Sequence, residues 1–231
     1  MKALVFHKPK HVSVDEVADP RIEAPTDAII RVTLTAICGS DLHIYNGLFP
    51  QPKKLVLGHE FMGVVEAVGS AVTRLKKGDR VVVPFPVACG HCFFCERALP
   101  SHCENSNQKN YGPEGGIVTQ KGGALFGYTD LYGGYDGGQA EAVRVPYADV
   151  GPRKVPDGLS DEHALFLTDI FPTGWTAIDW LSSRAARRWR CSGAVRWGSW
   201  PRRPRGCRRR AGHRRGYRAV SSRDGREGRA R

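Results

Sequence analysis

Gly58-His-Glu-Phe-Met-Gly-Val-Val-Glu-Ala-Val-Gly69 is the stretch on which the reading of this 231-residue chain turns. From Met62 to Val68 it has the valine-rich composition of a β-strand, bounded by turn residues. A histidine and a carboxylate stand at its entrance. Working outward, Ala28–Ala36, Arg80–Val83 and Ala140–Val145 read as further strands, and the strands are punctuated by Gly58, Gly63, Gly69, Gly78, Pro84 and Pro86. Glycine and proline at such intervals suit strands that bend around a small barrel. The fold expected from these segments is mainly β with a few helices. One helix is expected to begin at Ser160 within Asp157–Leu167, where acidic residues precede an apolar run, and a second near Pro172, continuing through Trp180. Asn105–Gly138 holds 10 glycines and little periodicity, so it reads as loop with one hairpin at most.

Charge divides the chain. Its 35 Lys and Arg exceed 23 Asp and Glu, giving +12, but Ser182–Arg231 alone carries 18 Arg against Asp224 and Glu227. That segment is therefore +16 and the remainder −4, so the basic character of the whole says nothing about the first four fifths. Residues 182–231 also contain no Leu, Ile, Phe or Met, and such a composition cannot bury enough apolar surface to offset the entropy of ordering it. No apolar run approaches the roughly 20 residues of a membrane helix, and Met1–Lys10 lacks a signal-peptide pattern. The expectation is a cytoplasmic protein without a membrane partner.

In a reducing compartment, clustered cysteines favour metal over disulfides. Cys89-Gly-His-Cys92-Phe-Phe-Cys95, with Cys103 beyond it, supplies four thiolates at close spacing. Four protein thiolates complete a tetrahedral zinc site and leave no open position, so this site would be structural, with His91 and His102 as bystanders. Cys38-Gly-Ser40-Asp41-Leu-His43 and Gly58-His59-Glu60 are different. One Cys and one His from separate strand ends make half of a zinc site that keeps a place for water or substrate.

These motifs together resemble the zinc-dependent medium-chain alcohol dehydrogenases. Gly58-His59-Glu60-Phe-Met-Gly63 followed by Gly69 and Val72, Cys38 with Ser40, Gly78-Asp79-Arg80-Val81, and the Cys89–Cys103 lobe fall in that family's order over residues 1–180. The resemblance implies a GroES-like β-barrel catalytic domain at 1–155, a junction at 156–181, and a Rossmann domain binding NAD or NADP after it. It makes Cys38, His59 and Asp169 ligands of a catalytic Zn2+ and Cys89, Cys92, Cys95 and Cys103 those of a structural one. Aspartate at 169, where many members carry cysteine, looks like the branch containing bacterial formaldehyde dehydrogenases and related polyol or threonine dehydrogenases. Glu60 is an alternate ligand or a neighbour behind the ligands, and Asp41 orients His59. Ser40 matches the hydroxyl that takes the alcohol proton, His43 the relay towards solvent, and Thr173 with Gly174 a contact to the nicotinamide. The implied activity is oxidation of a small alcohol or hydrated aldehyde by hydride transfer, in a homo-oligomer.

The resemblance stops where a buried strand and G-x-G-x-x-G should hold the cofactor's pyrophosphate. Residues 187–200 instead read Arg-Arg-Trp-Arg-Cys-Ser-Gly-Ala-Val-Arg-Trp-Gly-Ser-Trp. When each codon is rebuilt from the third base of one residue and the first two of the next, Arg188–Pro201 can be reread as Val-Ala-Val-Phe-Gly-Gly-Gly-Pro-Val-Gly-Leu-Met-Ala. Trp has a single codon, so the pair Trp197-Gly198 forces the last glycine of that fingerprint. Residues 182–231 are therefore read as an out-of-frame tail. The competing reading is an Arg-rich nucleic-acid-binding arm beside a zinc domain, its charge binding phosphate and its three tryptophans stacking on bases; such a role needs none of Cys38, His59 and Asp169. Sequencing the coding DNA beyond Trp180 separates them. The expected result is a second frame that continues into a Rossmann strand and helix, and a DNA with no such frame contradicts the frameshift.

Overall fold

The computed structural model describes residues 1–49, 51, 53–107 and 122–183, and these described residues belong to one compact unit. The tail expected to be out of frame lies outside the described residues from 184 onward. Among the described residues, ten strands and three α-helices are formed: β1 (Lys2–Lys8), β2 (His11–Glu16), β3 (Ala28–Thr35), α1 (Gly39–Tyr45), β4 (Leu55–Val56), β5 (Phe61–Val68), β6 (Arg80–Val83), β7 (Pro86–Val87), β8 (Ala124–Leu125), β9 (Ala142–Val145), β10 (Arg153–Lys154), α2 (Asp161–Leu165) and α3 (Ile170–Ser183). They are arranged as a five-stranded sheet in the order β10-β6-β5-β3-β9, a three-stranded sheet β2-β1-β4 and the pair β7-β8, every pairing antiparallel.

β5 is the central element because both its faces are covered. Phe61 and Val65 point into a core with Ile30, Val81, Val83, Phe126 and Val143, while Met62 packs with Val82, Ala164 and Leu165 beneath α2. Burial on both faces explains why this strand reads as a continuous apolar run rather than an alternation. Gly63 is required here by a close approach: a Cβ at this position would lie 2.1 Å from the carbonyl oxygen of Arg31 on β3. β3 and β5 bulge against each other between Val32 and Leu34. Their register ends at Thr35 opposite Phe61, so the chain leaving β3 runs beside the chain entering β5. That juxtaposition brings Cys38 and His59 together.

The four expected strands are present within two residues of their expected bounds. Ser160 caps α2, as the sequence suggested, and the second expected helix begins at Ile170, two residues before Pro172. Pro172 is tolerated because it sits in the first turn, where its missing N–H would be unpaired anyway. The glycine-rich segment forms β8, which pairs with β7 rather than folding into a hairpin of its own; residues 108–121 lie outside the described residues. The β1-β2 hairpin and α1 went unread in the sequence.

Phe61 has no exposed surface and meets Phe126 edge to face at 5.5 Å between centroids. Phe61→Ala is expected to destabilise the chain by about 3–5 kcal/mol, measured as a lower urea midpoint with an unchanged slope.

Candidate metal centres

The four lobe cysteines converge. Their sulfurs lie within 4.8 Å of one another, with Cys89 to Cys95 and Cys92 to Cys103 each at 4.0 Å. A zinc tetrahedron with 2.3 Å bonds has edges of about 3.8 Å, so the spacing fits a central ion, whereas a disulfide would need about 2.05 Å. All four are free thiols. Two adjoining 3-10 turns, Cys95–Arg97 and Pro100–His102, fold the lobe back so that Cys103 reaches the first three cysteines. The amide of Cys89 donates to the sulfur of Cys103 at 3.3 Å, and Asn105 Nδ2 donates to Cys89 Sγ at 3.3 Å. The Cys95 amide brings the Cys92 thiol down to about 6. Burial opposes ionisation of Cys103, yet the Cys89 amide and the Ser106 hydroxyl bring it down as well. Burial pushes Cys95 up to about 12. Cys92 and Cys103 are thus favoured as thiolates, and four sulfur donors suit a soft cation. His91 is turned to the carbonyl of Cys89 and His102 to the ring of Phe94, so neither histidine is among the grouped donors.

A second group joins Cys38, His59, Glu60 and Asp169, each with one donor atom within 4.8 Å of the others. Cys38 caps α1 from the loop after β3. His59 and Glu60 enter β5, and the carbonyl of Glu60 accepts hydrogen bonds from the amide of Ala36 and the hydroxyl of Thr35, both at 2.9 Å. Gly58 turns the chain just before His59 with φ +102°, a left-handed conformation that favours glycine. Asp169 arrives from the far side: α2 docks beneath β5, the buried Thr168 hydroxyl donates to the carbonyl of Leu165, and α3 starts immediately after Asp169.

His59 Nε2 faces the group, 3.6 Å from Asp169 Oδ2 and 3.9 Å from Glu60 Oε1, with Ser40 Oγ at 3.3 Å. On its other side, His59 Nδ1 stands 3.2 Å from Asp41 Oδ1, both atoms buried and lacking an aligned hydrogen bond. Asp41 Oδ2 accepts from the amide of Cys38 at 2.9 Å and from Gln139 Nε2 at 3.2 Å. Burial resists a charge on His59, but the carboxylates of Asp169 and Asp41 prevail and raise it to about 12. Burial also pushes the carboxyl of Glu60 up, the Cys38 side chain opposing it and Asp169 adding to it. A buried pocket of acids and a thiol that keeps a proton this firmly on an imidazole is one that favours positive charge. Three anionic donors and one imidazole are the set that borderline divalent cations accept.

His43 is exposed one turn along α1, its ring edge-on to Phe49. Thr173, expected at the cofactor, donates its hydroxyl to Asp169 Oδ1 at 2.5 Å, and Gly174 lies next to it on α3. Phe85 and Tyr128 edge onto the His59 ring at 6.4 and 6.0 Å. None of Phe85, Tyr128 and Gln139 carried a signal of its own: Phe85 stands between two prolines and the other two in or beside the glycine-rich segment, where a residue looks the same whether or not it reaches a site.

The sequence profile described as "Alcohol dehydrogenase GroES-like domain" matches residues 24–157. The chain belongs to this alcohol dehydrogenase family. Among characterised and uncharacterised relatives, it is 47% identical over 182 residues to an uncharacterised zinc-type alcohol dehydrogenase-like protein of Bacillus subtilis, covering 78% of this chain and 46% of the relative. It is 38% identical over 184 residues to glutathione-independent formaldehyde dehydrogenase of Pseudomonas aeruginosa, covering 75% and 43%. Among solved structures, alcohol dehydrogenase TADH from Thermus sp. ATN1 matches with TM-score 0.70 at 42% identity over 80% of this chain and 48% of that one. An E. coli dehydrogenase complexed with NADH matches with TM-score 0.56 at 33% identity over 72% and 42%. The chain thus spans less than half the length of these relatives, and the β-rich unit described above is the GroES-like part. Zinc and nicotinamide dinucleotides are cofactors of the family. No helix among the described residues is long and apolar enough to cross a membrane.

Because His59 is raised above its unfolded value of 6.5, its charge stabilises the metal-free fold fully below about pH 6.5, and that contribution fades as pH rises towards about 12. Asp169 is shifted down: burial raises it, but His59 and Thr173 outweigh burial, so its contribution is present above pH 3.8 and lost in acid. In a chelator-treated sample the His59 imidazole is expected to stay protonated through pH 9 by NMR, and Asp169→Asn to bring its titration to lower pH.

Proposed function

We propose that this chain is the catalytic-domain portion of a zinc-dependent, NAD(P)-dependent alcohol dehydrogenase acting on a small alcohol or aldehyde. One observation carries the reading: Cys38, His59, Glu60 and Asp169 come from three separated segments yet present donor atoms within 4.8 Å of one another. A donor set assembled from that far apart in sequence is not a by-product of local structure. Cys38, His59 and Asp169 would hold the catalytic zinc with Glu60 in reserve, and Cys89, Cys92, Cys95 and Cys103 the structural one. When bound, zinc supplies a Lewis acid that lowers the pKa of an alcohol hydroxyl and makes hydride loss from its carbon feasible near neutrality.

The chain's own residues supply the rest. Ser40, whose hydroxyl lies 3.3 Å from His59 Nε2, is assigned to accept the substrate proton, and the exposed His43 on the same helix to pass it to solvent. Phe85 and Tyr128 stand edge-on to the His59 ring and give the site apolar neighbours. Thr173 and Gly174 are assigned to the nicotinamide end of the cofactor, with Thr173 also steadying Asp169. Residues 1–155 would be the catalytic domain and 156–181 the start of the junction to the cofactor domain. The 231-residue chain carries no dinucleotide fingerprint in its last fifth and is expected not to transfer hydride itself.

Zinc analysis of the purified chain tests this. Two equivalents are expected, Cys38→Ser lowering the content by one and Cys103→Ser by the other; one equivalent or none in the unaltered chain contradicts the proposal. No NAD(P)H is expected at 340 nm from the chain with alcohols or aldehydes, and turnover there would contradict the assignment of the tail.

A further inference from the structure

We propose that Gln139 is a positioning residue of the Cys38–His59 centre, acting through Asp41; this rests on the reading above that the centre holds a divalent ion. Gln139 is buried and remote in sequence from both, yet it touches both arms of the site. Its amide nitrogen donates to the carbonyl of Ala36 and to Asp41 Oδ2, each at 3.2 Å. Its backbone amide donates to Leu57 at 2.9 Å and its carbonyl accepts from Leu4 at 2.8 Å, while Gly138 donates to the carbonyl of Gly58 at 2.8 Å. The side chain also fills the space over Gly58, where an added Cβ would meet it at 2.5 Å.

The orientation of the amide is dictated by its partners. Ala36 O and Asp41 Oδ2 are both acceptors, so the nitrogen must face them. The oxygen, Oε1, is then left buried with no hydrogen-bond partner. An unmet buried acceptor is costly, and the cost is tolerated here on the side of the amide away from Asp41. With Gln139 and the Cys38 amide both donating to Oδ2, the Asp41 carboxylate cannot rotate freely, and Oδ1 is held at 3.2 Å from His59 Nδ1. A neutral imidazole offering its Nε2 lone pair to a metal carries its proton on Nδ1. Although the two atoms are not aligned for a hydrogen bond, a negative oxygen fixed at 3.2 Å favours the proton on Nδ1 and leaves Nε2 facing Asp169 and Glu60. Gln139 therefore sets the direction of a ligand it does not touch.

Cobalt(II) serves as the probe, because thiolate-to-cobalt absorption reports each site and the four-thiolate lobe is an internal control for folding. Gln139→Met keeps the length of the side chain and removes its amide, the donor to Ala36 and Asp41 together with the unmet acceptor Oε1. It is expected to weaken the second cobalt equivalent about 10–100-fold while the lobe spectrum is unchanged. The cycle with Asp41→Asn separates positioning from packing: if Gln139 acts through Asp41, the double variant binds cobalt about as weakly as Asp41→Asn alone. Unchanged affinity in Gln139→Met, or losses that multiply in the double variant, overturns the proposal. A wild-type chain that fills its lobe but takes no second equivalent overturns instead the metal-centre reading beneath it, and this inference with that reading.

Discussion

The constraint on which the rest depends is the crowding of negative charge around one imidazole. Asp41, Glu60 and Asp169 all lie within 4 Å of a ring nitrogen of His59, with the thiol of Cys38 in the same group, and the surroundings are largely buried. Carboxylates so close to one another repel unless something positive stands between them. Without metal that role falls to a proton on His59, which is why its affinity for the proton is raised despite burial. A divalent cation would meet the same demand with more charge and with directed bonds. The barrel's strands, the α2 packing and the turn at Gly58 can be understood as what holds these repelling groups together.

The lobe works by different means. Its cysteines are close in sequence, its turns are short, and nearby backbone amides favour the thiolates of Cys92 and Cys103. It is assembled locally, whereas the His59 centre needs β3, β5, α1 and the start of α3 in place at once. The two centres should therefore respond differently to perturbation of the core: loss of β5 packing removes one and spares much of the other.

Much of this was legible in the sequence because the informative residues sit beside backbone features with strong local signatures. The β5 run was readable since both its faces are apolar, and Ser160 since an acidic turn follows it. Cys38 and His59 could be paired as half of an open zinc site, but Asp169 joins them only through the family resemblance; spacing alone gives no reason for residue 169 to meet residue 59. The short α1 was not legible because seven residues with a cysteine cap and a glycine start carry little helical periodicity. The β1-β2 hairpin was missed because its turn, with Lys10 at φ 65°, lacks the Asn-Gly or Asp-Gly signal. Gln139 and Thr173 could not have been read as neighbours of the ligands, since their contacts follow from tertiary placement. Thr173 was expected at the cofactor, and its hydroxyl is engaged with Asp169.

The most direct measurement is an anomalous difference map recorded at the zinc absorption edge from crystals of the chain grown with zinc. The account requires two peaks per chain, one enclosed by the sulfurs of Cys89, Cys92, Cys95 and Cys103, the other bounded by Cys38 Sγ, His59 Nε2 and an oxygen of Asp169. A map with density in the lobe alone, or a second peak away from His59, would contradict it.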